Sequence, residues 1–504
     1  MKRLFANTLF TSIDYLILVV LNILATPILI ANFGVDGYGA FVFLSIFSIY
    51  GAMSFFELGM EGSLMNYVAR FEAADDREKL HNTLTASLAY YMVLGAILAA
   101  ALFACADIIT SRLLNDNGAV SRQTVMTSMT YISVNIFFQF LTIPFTAILQ
   151  GMRRFVVTKG LNSVMTVLRY LLIITVALMY RRIDVAFGVI LILTLLRLTA
   201  LLGIFVFGLP EFRHFRVHFE PSLLWTLLKY TSLLFINRLV GLIHNNVDKV
   251  LIWLSLTVRH MTIYDVVVRP AALLRLVMSI LNAALIPEVA RRHELNDLTT
   301  IKELYLRLVR FAYLILLPIL ALLFVFMDKL LELWVGADFA AYAGLAVLLL
   351  STYLILPVPS VASTMVVGLE RVRQTVWIPI AATVINVVLS VVLLGMMGLA
   401  GLLTATLAAE IFAFVPYLRA MQRFLHFPIG EITRPVLQIF GVAAVAGAAY
   451  IGVRRLPLEG SAVTVIAAAA VFSLNCFVNY RYLLTDQERS FLKERMRAAR
   501  ARMV

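Results

Sequence analysis

The chain has 504 residues, 62% hydrophobic and 14% charged, with a mean hydropathy of +0.92. A soluble domain is about half apolar and about a quarter charged, so a soluble protein is excluded, and apolar runs of roughly 20 residues along the whole chain define a polytopic helical membrane protein. The formal charge of +13 does not indicate nucleic acid, because the basic residues are spread over short loops, the usual bias of cytoplasmic loops.

Fourteen spans are expected, near 9–32, 38–60, 83–105, 124–149, 160–180, 184–207, 224–255, 262–287, 304–327, 341–367, 374–396, 398–419, 435–453 and 461–483. The basic start, Met1-Lys2-Arg3, opens an apolar run reaching Ile30 that includes Asp14 and Asn22, which fits a retained first span better than a cleaved signal. With the N-terminus cytoplasmic, about 28 Lys and Arg fall in inner loops and about 8 in outer ones, so both termini are expected inside. Cys105 and Cys476 lie far apart in or beside apolar segments, and no disulfide is expected. After Thr485, Arg489, Lys493, Arg495, Arg497, Arg500 and Arg502 alternate with Phe491, Leu492 and Met496. That tail reads either as a basic helix lying on anionic lipid or as a solvated extension.

An internal repeat organises the chain. Val68-Ala69-Arg70 and Val289-Ala290-Arg291 follow spans 2 and 8, and each precedes an acidic loop, Asp75-Asp76-Arg77-Glu78 and Asp297 to Glu303. Spans 4 and 10 each end in Gly-x-x-Arg, at Gly151–Arg154 and Gly368–Arg371. Both pairs are offset by about 217–221 residues. Spans 1–6 and 7–12 are therefore read as two copies of a six-helix unit in the same orientation, with spans 13 and 14 appended.

The stretch from Leu233 to Asn282 carries the densest intramembrane polarity, and a charge at the bilayer centre costs roughly 2.5–3.5 kcal/mol on insertion scales. Arg169, Arg197, Arg238 and Arg275 sit near mid-depth of spans 5 to 8. Helical spacing extends their faces: Asn162, Thr166 and Arg169; Arg238, Asn245 and Lys249; Arg275, Ser279 and Asn282. Guanidinium forks suit phosphate oxygens. Two readings stand for these five cations: contact with an anionic head group, or ion pairs within the bundle, as Asp265 and Arg269 four residues apart would make. Asp14, Glu57 and Glu410 are intramembrane acids, each able to bind a driving proton or sodium ion or to pair with an arginine. His244 reads more simply as a hydrogen-bonded core residue. Prolines 27, 144, 270, 318, 357, 359 and 379 mark bends.

No phosphate-binding Gly-x-x-x-x-Gly-Lys loop, His-Glu-x-x-His, paired cysteine ligands or Gly-x-Ser-x-Gly elbow is present. Neither enzymatic activity nor a metal or organic cofactor is expected.

Several stretches carry a family likeness: Leu24-Ala25-Thr26-Pro27, Gly34-Val35-Asp36-Gly37-Tyr38-Gly39, Glu57-Leu58-Gly59-Met60, Asn246 to Ile252, Ile263-Tyr264, Gly368-Leu369-Glu370-Arg371 and Gly398-Leu399-Ala400-Gly401. The chain resembles, along nearly its whole length, the polysaccharide-flippase branch of the multidrug/oligosaccharidyl-lipid/polysaccharide exporter superfamily, including O-antigen flippases. The resemblance implies a V-shaped pair of six-helix lobes, alternating access, and transfer of undecaprenyl-pyrophosphate-linked sugar units across the bacterial inner membrane. The expectation is thus an all-α polytopic protein of fourteen transmembrane helices. Its parts are an N-lobe at 1–220, a C-lobe at 221–425, two further helices at 426–484 and a basic cytoplasmic tail at 485–504. The expected partners are a lipid-linked anionic oligosaccharide, membrane lipids and polysaccharide-assembly proteins such as a polymerase, with no nucleic acid. The rival readings are an ion-coupled multidrug exporter of the same fold, a membrane-bound polymerase or ligase, and a non-transporting member of an exopolysaccharide secretion complex. Cationic drugs would favour an acidic cavity, and a polymerase would need a large outer loop; the sequence offers neither.

Overall fold

The structure is a computed structural model that describes residues 2–47, 57, 59–114, 120–212, 219–283, 285–426, 461–482 and 489, and among these there is no strand. α1 (Lys2–Ser45) breaks at Gly34, where φ is 76° and ψ 167°. Side chains avoid that region and glycine does not, so one residue reverses the chain and α1 holds the first span and the start of the second. α2 (Met60–Ala73), α3 (Arg77–Leu114), α4 (Arg122–Gly151), α5 (Phe155–Tyr180), α6 (Ile183–Gly208), α7 (Pro221–Ser255) and α8 (Val258–Ala283) follow. Then come α9 (Leu285–Glu294), α10 (Leu298–Trp334), α11 (Ala343–Leu350), α12 (Pro357–Gly368), α13 (Val372–Thr375), α14 (Trp377–Met397), α15 (Leu399–Leu425) and α16 (Ser461–Tyr482).

Ten stretches of the described residues are long and apolar enough to cross a membrane. The chain is a multi-pass membrane protein, and its lipid-facing surfaces show it: Leu171, Leu178, Met179, Ile192, Leu196, Leu202 and Val206 on α5 and α6 are exposed, a pattern that water would penalise. The expected tenth span, 341–367, is not one helix: α11 gives way to a 3-10 turn, Ser351–Leu354, before α12. Pro357 and Pro359 lack the N–H groups that a continuous helix would need. The expected thirteenth span and most of the basic tail lie outside the described residues.

By its internal contacts the chain divides into Met1–Val266 with Leu394–Leu399, and Val267–Leu393 with Ala400–Val504. One core of the first unit gathers Val68, Leu80, Leu84, Phe145, Ile148, Leu149, Leu201, Phe205 and Phe212 from α2, α3, α4, α6 and the turn after α6. The second unit is built on α10, where Tyr305, Tyr313, Leu316 and Leu331 are fully buried. The Tyr313 hydroxyl donates to the Leu354 carbonyl (2.9 Å), and that of Tyr353 to the Ala271 carbonyl (2.9 Å).

The same local geometry recurs in the two units. α2 ends with Asp75 at φ 51°, and α9 with Asn296 at φ 53°. The amide of Asp76 donates to the Phe71 carbonyl, and that of Asp297 to the Arg292 carbonyl, each at 3.0 Å and 221 residues apart. These are Schellman ends. Each closing aspartate caps the next helix: Asp76 accepts from the Lys79 amide (3.0 Å) and Asp297 from the Thr300 amide (3.1 Å).

A second pair of ends lies at the Gly-x-x-Arg turns, with Arg153 at φ 58° and Glu370 at φ 55°. The Arg154 amide reaches the Leu149 carbonyl (2.8 Å) and the Arg371 amide the Val366 carbonyl (3.0 Å), 217 residues on. The glycines explain themselves by contact. A Cβ on Gly151 would lie 2.7 Å from Val68 Cγ1 and 3.0 Å from the Met65 oxygen; on Gly368 it would lie 2.8 Å from Val289 Cβ and 2.9 Å from the Ile286 oxygen. Both halves of the repeat signal, Val-Ala-Arg and Gly-x-x-Arg, thus meet at one helix crossing in each unit. The motif arginine then reaches the end of a later helix. Arg154 donates to the Gly208 carbonyl at the end of α6 (3.3 Å), and Arg371 lies 5.9 Å from the Phe424 ring near the end of α15.

Candidate functional site

The charged residues singled out in the sequence fall in both units. In the first, Arg169 on α5 is half-buried with its guanidinium 5.3 Å from the Tyr170 ring centroid, and it shares a half-buried face with Asn162 and Thr166. Arg197 on α6 and Lys249 on α7 are also half-buried. The side chains of Asp14, Arg238, His244 and Asn245 lie outside the described residues. Glu57 is 2% exposed; its Oε1 accepts from the Glu61 amide (2.7 Å) and the Tyr91 hydroxyl (3.2 Å). One carboxylate thus holds the first turn of α2 and ties it to α3.

In the second unit, the expected face on α8 is present. Arg275 and Ser279 are exposed and Asn282 is half-buried, one turn apart along the helix. Asn282 donates to the Ser360 hydroxyl on α12 (2.9 Å). Arg275 lies near the midpoint of Val258–Glu294, a 37-residue stretch apolar enough to span a membrane. Glu410 on α15 is within its electrostatic reach, so Arg275 and Glu410, which carried separate expectations in the sequence, belong to one unit. An exposed guanidinium at mid-depth is costly against lipid tails. This surface therefore faces water, protein or an anion, with the nearby carboxylate setting its net charge.

Two buried pairs escaped the sequence reading. The Tyr264 hydroxyl donates to Asp248 Oδ2 (2.8 Å), joining α8 to α7, and the Tyr38 hydroxyl donates to Asp265 Oδ2 (2.7 Å), joining α1 to α8. A tyrosine 16 or 227 residues from its acid leaves no local spacing to find it by.

The helical architecture has counterparts among solved membrane proteins. Over 95% of the chain it is similar to lipid II flippase MurJ in an inward closed conformation, with a TM-score of 0.73, 13% identity and 100% of that chain covered. It is also similar to an inward-facing multidrug resistance MATE family transporter of the MOP superfamily, with TM-score 0.62, 15% identity, and 82% and 98% of the two chains covered. A MOP superfamily transporter from Pyrococcus furiosus, described as having a binding pocket of reversed polarity, matches with TM-score 0.50 and 15% identity over 84% of this chain and 96% of its own. No curated protein sequence matches. The family model described as "Polysaccharide biosynthesis protein" matches residues 38–344, more than half of the sequence. The chain belongs to that family.

Proposed function

We propose that this protein is a flippase that carries undecaprenyl-pyrophosphate-linked oligosaccharide units across the bacterial inner membrane by alternating access, with both termini cytoplasmic. Membership of a polysaccharide biosynthesis family supports the cargo class, and the transporter fold supports the movement. The observation that carries the reading is the polar face in the C-terminal part of α8, where Arg275 and Ser279 are exposed and Asn282 is half-buried. A pyrophosphate offers the bidentate oxygens a guanidinium fits. Arg169, Arg197, Arg238 and Lys249 are assigned to the same head group. In this scheme the repeated turns are the inner ends of two six-helix copies, spans 1–6 and 7–12, spanning 1–220 and 221–425.

Glu410, within reach of Arg275, is assigned as the coupling acid. Protonation or sodium binding there would leave Arg275 more positive and ready for an anion; release of the cation would favour release of the anion. Asp14 and Glu57 are the alternative acids, and the two hydrogen bonds on Glu57 Oε1 favour a structural part for it. The MATE likeness supports a second reading, an ion-coupled multidrug exporter, against which the basic face weighs.

The test is accumulation of lipid-linked sugar on the inner leaflet. Arg275→Gln is expected to trap it there at normal protein levels, while Arg275→Lys, a point charge without the fork, retains partial transport. Wild-type surface polysaccharide in Arg275→Gln would overturn the assignment, and efflux of cationic dyes by the intact protein would favour the exporter.

A further inference from the structure

The run Gly34-Val35-Asp36-Gly37-Tyr38-Gly39 carries no group suited to an anionic head, yet the first unit gathers a set of contacts on it. Gly34 reverses the chain. Beyond the turn, Gly39 lies so close to the start of α8 that a Cβ there would stand 2.2 Å from the Val258 oxygen and 2.8 Å from Thr262 Oγ1. The Thr262 hydroxyl donates to the Val35 carbonyl (2.6 Å), one of the carbonyls beside the reversal. Tyr38, 1% exposed, donates to Asp265. Phe43 stacks on Trp253 of α7 at 5.1 Å between ring centroids. Behind these, Tyr264 holds Asp248. The reversal in α1 and the α7–α8 junction are therefore fastened together within the first unit.

The fastening shares its close glycine contact with the Val68–Gly151 crossing and adds hydrogen bonds to a carboxylate and a backbone oxygen. Such bonds are strong where water is excluded and are lost when the partners slide apart by an ångström or two. Contacts of that kind suit a closure that must open repeatedly.

We propose that Tyr38 and Asp265, with Thr262 on the Val35 carbonyl, are positioning residues that latch the outward exit shut while cargo loads from the inside. They touch no cargo. Gly39 is the position that lets α8 come close enough for both bonds. The latch rests on the transport reading above and on its orientation, in which the Gly34 turn faces outward.

The experiment uses the full chain in right-side-out vesicles with Cys105 and Cys476 replaced by serine. A single reporter, Thr26→Cys, stands just behind the latch: Thr26 is 1% exposed and its hydroxyl is 3.5 Å from that of Tyr38. The readout is the rate of modification by a charged, impermeant thiol reagent added outside. Tyr38→Phe and Asp265→Ala are expected to raise the rate about tenfold or more, the shift that follows losing a hydrogen bond to a charged group in a two-state closure. Asp265→Asn keeps an acceptor oxygen and stays within about twofold of the parent. Thr262→Val, which conserves shape, raises the rate about threefold or more and covers the case in which the other variants fail to accumulate. Equal rates in the parent, Tyr38→Phe, Asp265→Ala and Thr262→Val overturn the latch. The same ranking seen only with reagent on the inner side upholds the latch and overturns the orientation. A loosened exit with an unchanged melting midpoint is the result that a purely structural role would not give.

Discussion

Placing a methyl group on Gly151 or Gly368 measures how firmly the repeated crossings are built. In Gly151→Ala the new Cβ meets Val68 Cγ1 at 2.7 Å, Val68 Cβ at 2.8 Å and the Met65 oxygen at 3.0 Å. In Gly368→Ala it meets Val289 Cβ at 2.8 Å, the Ile286 oxygen at 2.9 Å and Val289 Cγ1 at 2.9 Å. The oxygens belong to helix backbone and yield only if a whole helix moves, so the strain falls in the overpacking range of about 1–3 kcal/mol. Alanine returns roughly 0.5–1 kcal/mol through its better helix propensity. The net loss is therefore about 0–2.5 kcal/mol at each site, read as a lower melting midpoint of the detergent-purified protein by tryptophan fluorescence. Gly203→Ala is the control, because a Cβ on Gly203 in α6 meets nothing within 4 Å; its midpoint should rise. Adding Val68→Ala to Gly151→Ala removes the Cγ1 contact and leaves the other two, so it should not restore the parent midpoint. The reasoning fails if Gly151→Ala and Gly203→Ala shift the midpoint in the same direction.

Three further outcomes follow from the helix-ending turns and from the Asn82–Glu220 contact. Arg153 and Glu370 hold φ near +55° without being glycine, so Arg153→Gly and Glu370→Gly should each raise the melting midpoint, by up to about 1 kcal/mol of stability. Asp76 is held below the usual carboxylate range chiefly by its hydrogen bond with the Lys79 side chain, and Asp297 by the hydroxyl of Thr300. A depressed carboxyl adds stability above its unfolded value, near pH 4, and loses it as pH falls through the folded value. The double variant Asp76→Ala/Asp297→Ala should therefore lose less stability than the parent between about pH 5 and pH 3, in melts run across that window. Asn82 donates to Glu220 Oε2 (2.8 Å) and accepts from the Glu220 amide (3.1 Å). Asn82→Leu should cost about 0.5–1.5 kcal/mol by removing these bonds, since water re-solvates the exposed Glu220, and faster proteolysis between α6 and α7 would show it.

Much of the architecture could be read from the residues because membranes impose simple rules. Length and hydropathy located α4, α5, α6 and α14 to within about five residues of their expected spans, while α3, α10 and α15 run six to nine residues past an expected end. Gly34 lay in the expected gap between the first two spans. The reading was least accurate where helices break for reasons beyond hydropathy. α11 and α12 replace one expected span at Pro357 and Pro359. Of the site, α8 was legible because Arg275, Ser279 and Asn282 recur at helical spacing. Its electrostatic link to Glu410, 135 residues later, was not, since no local spacing relates the two. Tyr38–Asp265 was hidden because its partners stand 227 residues apart.

The repeat also sorts structural residues from functional ones. Positions alike in both copies do the same local work: Val68 and Val289 against a glycine, Asp76 and Asp297 as caps, Arg154 and Arg371 at the end of a later helix. Carried along the offsets of 221 and 217, the proposed cargo and coupling residues find no such counterparts. Arg169 answers to Asn386, Arg197 to Phe414, Glu410 to Leu193 and Arg275 to Ser54. Asn386 even has a structural task, donating to Thr406 between α14 and α15 (3.2 Å). A charge that costs several kcal/mol in a membrane is not kept for packing that an amide or a phenyl ring performs at the equivalent place. The unmatched charges are therefore the ones whose removal should cost transport more than stability, whereas the matched glycines and caps should show the reverse.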